Sequence, residues 1–168
     1  MKIAIDAGHN CPPDVGCPGI IQEDRLTREV ETHLITELTK RGFSVLSVVP
    51  DKATSISDSL RQRVLKANQN DVNWYISIHF NCFDKKAQGT EVFAISPQGR
   101  DMANRILQNI VNAIGTTNRG VKDGSHLYVL KYTNMPAVLV EALFCDNAED
   151  MKKYDAKKIA TAIAEAFA

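Results

Sequence analysis

Charge of one sign is missing from this chain. Its 168 residues hold 20 Lys plus Arg against 20 Asp plus Glu, and the halves differ little: residues 1–84 carry 9 basic and 11 acidic groups, the rest 11 and 9. Without a basic excess nothing supplies the electrostatic grip that nucleic acid or an anionic lipid surface requires, so neither is expected as a partner. Long hydrophobic runs are missing too. The longest, Pro136 to Cys145, is interrupted by Glu141 and falls short of the roughly 18 apolar residues of a membrane helix. The amino-terminal apolar stretch stops at Asp6, too short for a secretion-signal core. Cysteine is sparse, with four residues at 11, 17, 82 and 145 and no CxxC pair. A domain of this size buries about 70% of its unfolded surface and needs no staples, so free thiols are the expectation. Linkers, repeats and low-complexity segments are absent as well. The composition, 44% apolar and 24% charged, reads as one globular domain over residues 1–168, expected to be monomeric.

What is present is alternation. Lys2 to Asp6 reads as a short buried strand, followed by a loop from Asn10 to Gly19 with three prolines and two glycines. Leu26, Val30, Leu34 and Leu38 recur every four residues, an amphipathic helix with Gly42 at its end. Phe43 to Val49 reads as a strand, and Ser57 or Asp58 as the cap of a second helix ending near Asn70. Val72 to His79 and Thr90 to Ile95 read as strands, and Met102, Ile106, Ile110 and Ile114 as a third helix stopped by Gly115. A short strand is expected at His126 to Leu130 and a last one at Ala137 to Glu141. Asp155 is placed to cap a closing helix with Ile159, Ile163 and Phe167 inward. The fold class is therefore α/β: a single domain with a twisted, mostly parallel or mixed sheet and helices on both faces. Such sheets bind ligands beyond the carboxyl ends of their strands.

Three expected strands end in residues able to bind metal or move protons: IDAGH at 5–9, ISIH at 76–79 and VLVE at 138–141. A charge after an apolar run is costly to bury alone, and each strand end taken singly is explained by an ordinary hydrogen-bonded structural residue. Together they suggest more, because two imidazoles and a carboxylate form an open zinc site with one position left for water. His9 and His79 supply the nitrogens, while Glu23, Asp24 and Glu141 are the candidates for the oxygen. Asp6 can either orient a ligand histidine or cap the loop. Asn81, two residues beyond His79, faces the same way on a strand and is a candidate for a substrate hydrogen bond. A thiolate of Cys11 or Cys17 in place of Glu23 is the minor alternative, whereas Cys82 and Cys145 read as buried fillers. His33 and His126 are not expected to be ligands.

DAGHN at 6–10, QED at 22–24, the Leu60, Arg63 and Asn68 pattern, SIHFN at 77–81, RGVK at 119–122 and MPAVLVE at 135–141 occur in order. In this the chain resembles the zinc-dependent N-acetylmuramoyl-L-alanine amidases of the amidase_3 family from residue 3 to about 165. The resemblance implies hydrolysis of the amide joining the lactyl group of N-acetylmuramic acid to L-alanine in peptidoglycan, a twisted sheet flanked by helices, and one zinc ion per chain. By position, His9, Glu23 and His79 match the family's zinc ligands and Glu141 its catalytic glutamate. The chain departs from the family pattern where Asn10 replaces a common glycine, near Val49 and Pro50, and in the segment after Glu141. The interval between His79 and Glu141 leaves little room for the inserted helix that covers the zinc in some relatives, which favours an open, endolysin-like domain.

On this reading zinc polarises the carbonyl and acidifies water, while Glu141, flanked by apolar residues that raise its pKa, shuttles the proton to the leaving nitrogen. A zinc peptidase or other amidohydrolase using the same ligands is the alternative enzyme, and an inactive wall-binding module the alternative outside enzymes. The implied substrate lies outside the cytoplasm although no signal precedes the domain. Either another factor exports the chain or it is the catalytic piece of a longer precursor.

Overall fold

A computed structural model describes residues 1–167, and among them six strands and six helices alternate as β1 (Lys2–Ala7), α1 (Glu23–Lys40), β2 (Ser44–Ser47), α2 (Ile56–Asn68), β3 (Trp74–Asn81), β4 (Thr90–Ala94), α3 (Pro97–Ile114), β5 (Asn118–Asp123), α4 (Tyr128–Tyr132), β6 (Ala137–Phe144), α5 (Ala148–Lys153) and α6 (Ala156–Glu165). The strands form one sheet in the order β2-β1-β3-β6-β4-β5. β2, β1, β3 and β6 run parallel, β4 runs antiparallel to β6, and β5 follows β4 in parallel. The sheet is thus mixed. Reversal of β4 and β5 brings their amino-terminal ends, with Glu91 and Arg119, to the edge where β1, β3 and β6 finish.

Strand side chains alternate between two layers, as the pleat requires. Ile3, Ile5, Ile76, Ile78, Val138 and Val140 face the larger core with α1, α3 and α6. Ala4, Tyr75, Ala137 and Leu139 face the smaller one, filled by Val64 and Ala67 of α2 and Val129 and Leu130 of α4. The helical stripe at Leu26, Val30, Leu34 and Leu38 is wholly buried, as its four-residue repeat predicts.

Several local expectations are corrected. The residues around Val129 and Leu130 form the short helix α4 rather than a strand, because as a helical turn both side chains close the smaller core. β5 and α5 were not anticipated: β5 (NRGVKD) is an edge strand with little apolar alternation, and α5 is a six-residue helix whose cap, Asn147, accepts from Glu149 and Asp150 backbone N–H groups. The second helix begins one turn early. Ser55, not Ser57 or Asp58, accepts the Asp58 N–H, while Asp58 Oδ2 accepts from Thr54 N, a reciprocal cap.

Cysteine chemistry is corrected as well. Cys17 and Cys82 form a disulfide across 65 residues, joining the loop before α1 to the segment after β3, and Cys82 is exposed rather than a filler. Cys11 and Cys145 are free and buried.

Ser55→Ala should cost about 1 kcal/mol in urea unfolding, whereas Ser57→Ala should change little.

Candidate active site

The turn after β1 sets the geometry. His9 and Asn10 both adopt left-handed backbone, with φ 61° each, a conformation that asparagine tolerates and histidine takes only under constraint. Asn10 Nδ2 donates to Gly8 O and Thr27 Oγ1 at 2.8 Å, and its backbone N–H to Asp24 Oδ1 at 2.6 Å. His9 is constrained by Arg63, a wholly buried residue of α2, whose guanidinium donates to His9 O, Asp6 Oδ1 and Ala7 O. Asp6, 1% exposed, also accepts from Tyr75 OH and Ser77 Oγ at 2.8 Å. It anchors the arginine, and neither caps the loop nor orients a histidine directly. Gly8 is required by space, since a Cβ there would lie 2.3 Å from the His79 ring.

The first and second strand ends then converge on the start of α1. His9 Nε2 lies 3.4 Å and His79 Nδ1 3.2 Å from Glu23 Oε1, and one ligand atom from each of the three residues falls within 4.8 Å of the others. Glu23 is fixed by Phe80 N–H at Oε1 and by Cys17 N–H at Oε2, 3.1 and 3.0 Å away. The remaining His9 nitrogen, Nδ1, pairs with Asp14 Oδ1 at 2.9 Å, so that a metal taking the place of the Nε2 proton would find the ring already oriented. Asp14 is held in turn by Ser59 Oγ at 2.7 Å and by Arg63 at 3.5 Å. Two imidazoles and a carboxylate whose ligand atoms gather at one point, one of the imidazoles braced by a second carboxylate, are a donor set that fits a divalent metal once the imidazole protons are displaced.

Glu141 sits directly opposite His79 in the β3–β6 ladder and opposite Glu91 in the β6–β4 ladder. Its Oε2 is buried without a hydrogen-bond partner. Burial, reinforced by Glu23 and Glu91 and opposed by His79, pushes its pKa up to about 7. Glu23 goes the other way: burial is outweighed by hydrogen bonds from His79 and His9, and its pKa falls well below the ordinary carboxylate range. Burial also opposes charging of His9, but Asp14 and Glu23 outweigh it and raise the imidazole to about 10. Two carboxylates of one site are therefore driven apart, one kept as an anion and one poised to exchange a proton near neutrality.

Of the candidates named from the sequence, His9, Glu23, His79 and Glu141 come together. Asp24 does not join them, because it clamps the loop through Asn10, Gly16 and Gln22. Cys17 is committed to its disulfide and cannot replace Glu23. Asn81 donates to Glu91 Oε1 at 2.8 Å, and Arg119 Nε reaches Glu91 Oε2 at 3.1 Å. Asp14, Glu91 and Arg119 escaped the sequence reading. For Asp14 the available signal was an acid five residues after His9; for Glu91 no local pattern announces that its strand runs backwards.

A mixed α/β sheet thus gathers at its strand ends a two-histidine, one-carboxylate cluster that could hold a metal ion, with a glutamate of raised pKa beside it. The family model described as N-acetylmuramoyl-L-alanine amidase, amidase_3, matches residues 3–168, and the chain belongs to that family. It is 38% identical over 162 residues to a Clostridium perfringens protein, covering 94% of this chain and 48% of that one. It is 32% identical over 157 residues to the N-acetylmuramoyl-L-alanine amidase LytC of Bacillus subtilis, covering 90% and 31%. The chain spans about half the length of the Clostridium perfringens relatives it matches. Among solved structures, the catalytic domain of the CD27L endolysin targeting Clostridia Difficile superposes with a TM-score of 0.92 at 26% identity over 99% of this chain and 96% of that one. The catalytic domain of CwlV, an N-acetylmuramoyl-L-alanine amidase from Bacillus (Paenibacillus) polymyxa, gives 0.86 at 27% identity, covering 99% and 96%.

Arg63→Met should destabilise the fold by about 3–5 kcal/mol in denaturant titrations, because Asp6 is left buried and unpaired. An unchanged midpoint would remove Arg63 as the brace of the His9 turn.

Proposed function

We propose that this chain is one catalytic unit that hydrolyses the amide between the lactyl group of N-acetylmuramic acid and L-alanine in peptidoglycan, with a single zinc ion held by His9, Glu23 and His79 and with Glu141 as general base and acid. The observation that carries the reading is the placement, opposite His79 and beside a donor set suited to zinc, of a half-buried glutamate with raised pKa and one buried, unpartnered oxygen. When bound, zinc would polarise the scissile carbonyl and stabilise the negative charge that develops on its oxygen. Glu141 takes a proton from the water that attacks the carbonyl carbon. As the carbon–nitrogen bond breaks, it returns that proton to the alanine nitrogen. Asp14 keeps His9 in the tautomer that offers Nε2. Asn81, proposed from the sequence as a substrate contact, serves in this account to hold Glu91, whose charge keeps Glu141 ready to accept a proton.

A lytic, endolysin-like role at the cell wall, outside the cytoplasm, is supported by the likeness to the CD27L catalytic domain. It is also supported by the interval between β3 and β6, which among the described residues is taken up by β4, α3, β5 and α4.

Mass spectrometry of products released from purified peptidoglycan tests the bond. Free L-alanine amino termini on intact stem peptides should appear without chelator and vanish with it; scission within the peptide stem would discard the amidase assignment. Glu141→Gln should retain zinc and lose roughly 10²–10⁴-fold in kcat. In the wild type, kcat/KM should fall about tenfold per pH unit below about 7, as the base becomes protonated.

The same residue sets a stability prediction. A carboxyl whose pKa is raised on folding imposes no penalty below its ordinary pKa, and its penalty grows as pH rises through about 7. In chelator, Glu141→Gln should therefore be more stable than wild type at pH 8, by on the order of 1–3 kcal/mol, with the difference gone near pH 4. Equal melting temperatures at both pH values would show that Glu141 carries no such burden.

A further inference from the structure

The proposed active site leaves unused a second cluster of potential ligands. The sulfurs of Cys17, Cys82 and Cys145 lie within 4.8 Å of one another, although only the first two are bonded. They come from three different segments: the loop before α1, the segment after β3 and the end of β6. The loop lies directly on Cys145, with Ile20 N–H donating to Cys145 O at 2.7 Å. Gly19, with φ +49°, allows this approach, since a Cβ there would stand 2.8 Å from Cys145 Sγ. Beside the sulfurs opens a cavity of about 580 Å³ lined by Cys17, Cys82, Phe83 and Asp146 among others.

Asp146 lines the same cavity and carries an unpartnered oxygen. It is 8% exposed, and its Oδ2 accepts from Phe83 and Lys85 backbone N–H groups at 3.0 Å. Its Oδ1 is buried with no partner among the described residues. An unsatisfied buried carboxylate oxygen costs free energy unless a donor or cation completes it. Three sulfurs make a trigonal set with a fourth position open to water, and thiolates select zinc and other thiophilic ions over magnesium or calcium.

We propose that Cys17, Cys82 and Cys145 form a second zinc site, with water in the fourth position, available when the Cys17–Cys82 bond is reduced. With a phosphine as reductant, the sulfur–sulfur bond gains two electrons, the phosphine takes oxygen from water and leaves as its oxide, and the two hydrogens complete the thiols. Zinc then displaces the three thiol protons to solvent. The loop, the end of β3 and the end of β6 are thereby joined under reducing conditions by a metal, and under oxidising conditions by the disulfide. The site does not depend on the amidase reading.

The test is metal content of the whole chain, stripped with chelator, given zinc, desalted and measured by mass spectrometry, oxidised or kept in phosphine. Reduced wild type should retain one zinc per chain more than oxidised wild type. Under phosphine, Cys145→Ser should lose that extra ion, and so should Cys82→Ser, whose exposed side chain leaves the core intact. His79→Ala should lose the other ion and keep this one, so failure of the active-site assignment and failure of this proposal give different counts. Equal zinc in oxidised and reduced wild type, or retention of the extra ion by either cysteine variant, overturns the second site.

Discussion

A buried guanidinium underlies the active edge. Arg63 enters from α2 almost without contact to solvent and donates to Asp6 and to two carbonyls of the chain that turns away from β1, with Ser59 Oγ taking its remaining reach. Placing a full charge there is costly, and Asp6, secured by Tyr75 and Ser77, offsets that cost from the floor of the sheet. The outcome is a histidine held in left-handed backbone with one ring nitrogen braced by Asp14 and the other directed to Glu23. Neighbouring elements obey this arrangement: Thr27 of α1 secures the next residue, Gly8 makes room for the His79 ring, and α1 begins where its first carboxylate can meet both imidazoles.

Beyond that brace, the chemistry rests on unequal solvation of like groups. Glu23 accepts two backbone N–H groups and faces two imidazoles, so its charge is compensated on every side. Glu141, a few ångströms along the same edge, has an orphaned oxygen and an acidic neighbour at Glu91. Proton affinity is thus assigned by surroundings, and the reversed strand β4 matters because it is the element that carries Glu91 to this edge.

Much of this was legible in the sequence. Strand ends bearing His9, His79 and Glu141 follow apolar runs, and the stripe from Leu26 to Leu38 announces α1 and hence the placing of Glu23. The direction of β4 was not legible, since parallel and antiparallel pairing use the same side-chain alternation. Nor was α4, whose aromatic and branched residues favour a strand until tertiary packing selects a helical turn. The Cys17–Cys82 bond spans the sheet edge between segments 65 residues apart, a proximity that spacing does not encode. Asp14 acts through His9, and a residue whose partner is another side chain leaves no periodic trace.

The position of β6 bears on how the activity comes into being. This strand is the last of the sheet in sequence order yet lies between β3 and β4, so without it the sheet falls into two pieces, β2-β1-β3 and β4-β5, with no hydrogen bonds between them. A ribosome that has released the first 130 residues has made the histidines and Glu23 but neither the middle of the sheet nor Glu141. On the proposed reading, a chain extended only to residue 130 would carry the metal ligands without the glutamate that moves the proton.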